Sequence, residues 1–211
     1  KATSELSASL ARAQDIQERM LPRLPELPEY AFGAHYTPCA RVSGDFYEIV
    51  RVDSARYHIA VGDVSGHGIE AALVMGMTKK AFALHARSGL GPAETLQAVN
   101  ADIFPELAPT TFVSIACGLL DTATHHFATA RAGHPYIYRR RSDGSLQRFQ
   151  SGGLMVGVVQ GAAFDGHIAE EEVVLEPGET VLLYTDGVLE AVTTRGAIFG
   201  TVGLEAILRT S

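Results

Sequence analysis

The order of its elements constrains this chain more than any single residue does. Period-two apolar patterning marks extended segments at 31–37 (AFGAHYT), 45–52 (DFYEIVRV) and 57–64 (YHIAVGDV). The last two are joined by the polar turn Asp53-Ser54-Ala55-Arg56, a hairpin signal. From Gly68 to Arg87 the run GIEAALVMGMTKKAFALHAR is helical, and Pro92 opens a second helix that reaches Phe104. Strands return at 111–120, 124–131, 136–141, 146–150, 168–175 and 180–185, between turns rich in Gly, Pro, Asp and Ser. A parallel βαβ fold needs strands and helices to alternate, and here they do not. Antiparallel sheets with helices packed on their faces, an α+β arrangement, fit this order.

Ahead of the first strand, Leu6, Ala13 and Met20 recur seven apart, with Leu10 and Ile16 on the same broad face. This spacing predicts an amphipathic helix from Ser4 to Leu21. Pro22, Pro25 and Pro28 stop it, because proline lacks an amide donor and drives the residue before it toward extended geometry. The chain therefore divides into a linker or regulatory helix, residues 1–24, and a domain over 25–211. With 46% hydrophobic residues in 211, the second part can bury a substantial core.

Charge narrows the function. A formal net charge of -7 argues against DNA, RNA or anionic lipid as a partner, since such binding is carried by excess Lys and Arg. The basic run Arg139-Arg140-Arg141 reads as the solvated end of a strand. Cys39 and Cys117 lie far apart, with no Cys or His at zinc-site spacing, which points to a reducing cytoplasm. No stretch reaches the roughly 18 to 20 apolar residues that cross a bilayer. The chain opens on Lys1 rather than Met, and the expectation is of a domain excised from a longer protein.

Three aspartates share one local context: Ser43-Gly44-Asp45, Gly62-Asp63 and Thr185-Asp186-Gly187. Each sits at a strand edge beside glycine. Pairing 45–52 with 57–64 brings Asp45 and Asp63 together at the open end of the hairpin. Taken alone, these residues leave two readings, turn formers at strand ends or oxygen ligands of a hard divalent cation such as Mg2+ or Mn2+.

A series of motifs bears on that choice. In chain order they are IQERMLP, VSGDFYE, VGDVSGHGIEAALVM, TFVSIACGLLD, ARAGHPYIY, LMVGV, PGETVLLYTDGVLEA and IFG. In this the chain resembles the bacterial PPM-type (protein phosphatase 2C-like) serine/threonine phosphatases of the SpoIIE/RsbU type. The resemblance implies a four-layer α-β-β-α sandwich, two antiparallel sheets flanked by helices, with a two-metal Mn2+ or Mg2+ centre at one sheet edge. It makes Asp45, Asp63 and Asp186 metal ligands, joined by the backbone carbonyl of Val64. It implies hydrolysis of phosphoserine or phosphothreonine by metal-activated water. The implied substrate is a STAS-type anti-sigma-factor antagonist, and the implied setting is the cytoplasm, behind an upstream sensor or receiver domain. The N-terminal helix would then be the connector, able to pair with a second copy.

The chain also departs from that pattern. Family members commonly close on an Asp-Asp-x-Thr strand with a further carboxylate, whereas this chain ends Leu208-Arg209-Thr210-Ser211. The expectation is that this ligand lies beyond Ser211 or that the second metal binds weakly, leaving a centre that is incomplete or partly occupied here. Ser43 stands where Gly is usual, and Ala197 where an acidic residue is common. His67 is the candidate general acid, since imidazole ordinarily titrates near neutral pH, with a turn or helix-capping role as its alternative. His134, before Pro135, reads as a brace between loops. His125 and His126 read as exposed, and Glu190 as a backbone brace. Two rival functions stand beside the phosphatase: an interaction module that keeps the fold without turnover, and a small-molecule phosphohydrolase.

Overall fold

A computed structural model describes residues 2–194 and 196–210; Lys1 and Ser211, at the two chain ends, lie outside it. Helix α1 (Ala2–Met20) leads into an irregular stretch and then the hairpin β1 (Phe46–Arg51) and β2 (Arg56–Val64). Helices α2 (Ile69–Arg87) and α3 (Pro92–Ile103) follow, then β3 (Val113–Asp121), β4 (His126–Ala132), β5 (Tyr138–Arg140) and β6 (Leu146–Arg148). The short helix α4 (Ala162–Asp165), β7 (Glu170–Val174), β8 (Thr180–Leu182), the short helix α5 (Gly187–Glu190) and α6 (Gly200–Thr210) complete the chain.

The strands form two antiparallel sheets, of order β1-β2-β3-β4-β7 and β6-β5-β8. Alternation along β3 shows how the layers assemble. Val113, Ile115 and Cys117 join Phe82, Leu96 and Val99 in the core beneath α2 and α3. Ala116 and Leu120, on the opposite face, meet Ile137 and Phe149 between the two sheets. Tyr138 and Tyr184 then pack against Leu204 and Leu208 of α6. The result is the expected α-β-β-α sandwich. An ion pair pins helix to sheet: Lys79 of α2, almost fully buried, meets Glu48 of β1 at 2.8 Å and donates to the Tyr47 carbonyl at 2.7 Å.

Two expectations need correction. Residues 31–37 form no strand, and their backbone pairs with neither sheet. Phe32 still packs against the inter-sheet core, so its apolar character serves packing without pairing. The basic run is not a solvated strand end either. Arg139 is buried and paired with Glu179 at 2.5 Å, and Arg140 donates to the Leu208 carbonyl at 2.7 Å. Among the described residues no helix is long and apolar enough to cross a membrane.

Candidate metal centre

Two strand ends and one turn build the site. Phe46 of β1 faces Gly62 of β2, so one residue further out the hairpin reaches Asp45 on one side and Asp63 on the other. Asp63 in turn faces Ser114 of β3. Facing residues share a side, and this one is turned toward the smaller sheet. Gly44 lets the Asp45 loop close in, because a Cβ there would stand 2.8 Å from the Val64 carbonyl oxygen. The Val64 carbonyl and the Gly44 backbone are thereby neighbours.

Asp186 arrives from the turn after β8, where its carbonyl accepts the Leu189 and Glu190 amides of α5. The hydroxyl of the preceding Thr185 lies near the Asp45 carboxylate and favours its charged form, so this turn adjoins the β1 end. Ser43 Oγ donates to Asp45 Oδ2 at 3.1 Å and accepts the Asp45 amide at 3.1 Å. Ser43 thus holds Asp45 by carboxylate and amide alike.

The electrostatics follow from this crowding. Burial pushes the Asp63 carboxyl up to about 7, and the charges of Asp45 and Asp186 push it the same way. The Val64 amide works against them, and Glu190 adds a smaller repulsion. Asp45 is raised as well, chiefly by burial, against the nearby Ser43 and Thr185 hydroxyls and with Asp186 adding to the rise. Asp45, Asp63 and Asp186 therefore sense one another at one sheet edge. Among the described residues no three His, Cys, Asp or Glu side chains converge as a ready-made metal cage. The donor set nonetheless suits a hard cation. It is all oxygen, and its mutual repulsion is what a divalent ion reverses.

The histidines part company. His134 is buried, with Nε2 at 2.9 Å from the Tyr184 carbonyl and Nδ1 at 2.8 Å from Ser114 Oγ. It bridges the residue facing Asp63 and the segment carrying Asp186. It sits in a tight corner, where Gly133 has φ 66° and a Cβ would fall 2.0 Å from Met155. His67 is exposed on the turn between β2 and α2. It does not cap the helix, since Gly68 is the N-cap and makes no side-chain bond; His67 is a residue of the turn. His125 and His126 are exposed as expected, and the Tyr30 hydroxyl meets His125 Nδ1 at 2.5 Å.

Sequence reasoning passed over Thr185 as a neighbour of Asp45 and gave Ser43 no role. For Ser43 the available signal was a hydroxyl residue two places before an aspartate, a spacing suited to local side-chain bonds.

A family model described as Stage II sporulation protein E (SpoIIE) matches residues 53–211, a span that includes Asp63 and Asp186 and begins after Asp45. The phosphoserine phosphatase RsbU of Bacillus subtilis is 30% identical over 197 residues, which are 91% of this chain and 56% of that relative. The phosphoserine phosphatase RsbP of the same organism is 25% identical over 185 residues, 86% of this chain and 45% of that relative. The chain thus spans about half the length of these relatives. Among solved structures, the SiaA-PP2C domain of Pseudomonas aeruginosa superposes with a TM-score of 0.80 at 28% identity, covering 99% of this chain and 83% of that one.

Proposed function

The chain belongs to the SpoIIE family, and from that premise we propose that it is a metal-dependent phosphatase acting on phosphoserine or phosphothreonine of a regulatory protein, a STAS-type anti-sigma-factor antagonist. The observation that carries this reading is the coupling of Asp63 to both Asp45 and Asp186 at one sheet edge. The likeness to two phosphoserine phosphatases supports the reaction class.

In this reading the carboxylates of Asp45, Asp63 and Asp186, with the Val64 carbonyl, would hold Mn2+ or Mg2+. When bound, the cation supplies acidity to water and positive charge against the phosphoryl oxygens. Ser43 orients the Asp45 carboxylate. His134 fixes the Tyr184 carbonyl and with it the approach to Asp186. His67, on the turn beyond Asp63, donates a proton to the departing serine or threonine oxygen. The same reading sets the chain in the cytoplasm behind a sensor or receiver domain. Exposed Leu6 and Ile16 give α1 an apolar strip for pairing with a second copy.

The test compares phosphate release, with Mn2+, from a phosphorylated STAS protein and from small phosphate esters. The phosphoprotein is expected to turn over much faster. Preference for the esters would favour a small-molecule phosphohydrolase, and binding of the phosphoprotein without turnover would favour an interaction module.

A further inference from the structure

Helix α1 reaches the metal site through one side chain. Gln17 is only 8% exposed, and its amide makes two bonds to the backbone of a single residue 26 positions away. Nε2 donates to the Ser43 carbonyl at 2.9 Å, and Oε1 accepts the Ser43 amide at 3.0 Å. One turn on, Met20 packs against the main core, where its Cε lies 3.6 Å from a Cβ placed on Gly76 of α2. The two side chains share a helix face, so α1 is anchored at both.

Ser43 has no strand ladder to satisfy its backbone, since β1 begins at Phe46. A buried amide and carbonyl left unpaired are costly, and a glutamine side chain supplies both complements at once. An apolar residue at position 17 could fill the space but not make these bonds. What Ser43 does next gives the clamp its consequence: its hydroxyl holds both the Asp45 carboxylate and the Asp45 amide.

We propose that Gln17 is a positioning residue for the metal centre: by clamping the Ser43 backbone, it sets the Asp45 carboxylate in place. This rests on the assignment of Asp45 as a ligand. The route runs from α1 through Gln17 and Ser43 to Asp45, and it makes metal affinity depend on the helix.

The experiment measures Mn2+ binding by electron paramagnetic resonance of the free ion, alongside phosphate release, for the full chain. Gln17→Leu is expected to raise the Mn2+ dissociation constant about tenfold, with kcat at saturating Mn2+ within about twofold of the parent. Gln17→Glu keeps the acceptor for the Ser43 amide and loses the donor, so its Mn2+ affinity falls between the two. It also carries the test should Gln17→Leu fail to fold. Ser43→Ala also weakens binding, and combining it with Gln17→Leu gives less than the sum of the two effects, as expected for residues acting in series. Asp15→Ala, exposed on the same helix, leaves binding unchanged. A parental dissociation constant in a folded Gln17→Leu or Gln17→Glu chain overturns the proposal and leaves the phosphatase reading intact. A parent chain that binds Mn2+ yet releases no phosphate overturns the phosphatase reading alone. Absence of Mn2+ binding by the parent overturns both.

Discussion

His134 Nε2 donates to the Tyr184 carbonyl oxygen at 2.9 Å, and this bond fixes the state of the ring. A carbonyl can only accept, so the proton is on Nε2 and Nδ1 takes the Ser114 hydroxyl proton. Both ring nitrogens are used, and burial holds the imidazole neutral with its pKa down at about 4. The residue is a strut between β3, which flanks Asp63, and the segment that delivers Asp186.

Removing the strut has a defined consequence. His134→Ala leaves the Tyr184 carbonyl and Ser114 hydroxyl unpaired beside a cavity, and is expected to cost about 2–4 kcal/mol in denaturant unfolding. The parent should also show an acid limb. The unfolded imidazole gains its proton near pH 6.5 and the folded one only near 4. The stability from this site is therefore complete above 6.5 and erodes by about 1.4 kcal/mol per pH unit as pH falls toward 4. A His134→Gln variant lacks this component, and an unaltered acid limb in it would contradict the assignment.

Asp63 has the opposite dependence. Its folded pKa of about 7 exceeds the usual carboxylate value, so in chelator it costs nothing below about pH 4 and increasingly destabilises the fold as pH rises to 7. For a half-exposed group, solvent screening reduces that cost to roughly 1–2 kcal/mol. Melting curves in EDTA should show this loss, Mn2+ should reverse it, and Asp63→Asn should abolish it while removing activity. A metal-free melting temperature that does not fall between pH 4 and 7 in the parent would count against the crowded carboxylates.

Gly44 is the tightest joint between Asp45 and Val64. A Cβ 2.8 Å from the Val64 carbonyl oxygen must displace one of the two segments. Gly44→Ala is expected to weaken Mn2+ activation about tenfold or more, the range for misplaced metal-site geometry. Parental Mn2+ activation in this variant would mean that the Val64 carbonyl is not part of the centre.

His67 is tested by its pH profile. As proton donor to the leaving oxygen it contributes about 10²-fold or more to kcat, so His67→Ala should lose that factor and the basic limb of the kcat profile. An unchanged limb would remove His67 from the chemistry.

Much of the site was legible because it is built locally. The alternation YHIAVGDV gave β2 and its terminal Asp63, the four-residue turn gave the hairpin, and antiparallel pairing gave Asp45 its neighbour. The Thr-Asp-Gly turn was visible as a turn, but the approach of Thr185 to Asp45 spans 140 positions and depends on how two sheets stack. Gln17 was invisible for the same reason. On a helical wheel it is one more polar residue, and only the tertiary position of Ser43 buries it. Residues 31–37 misled because a strand needs a partner as well as a pattern. The basic run misled because Arg139 found a buried carboxylate at Glu179, which no local signal announces.

The most direct test of the account is Mn2+-dependent phosphate release from a phosphoserine protein by the parent chain, Asp63→Asn and Asp186→Asn, each with its Mn2+ binding measured in parallel. The account predicts turnover in the parent and a joint loss of metal binding and turnover in both variants. Equal turnover in all three would contradict it.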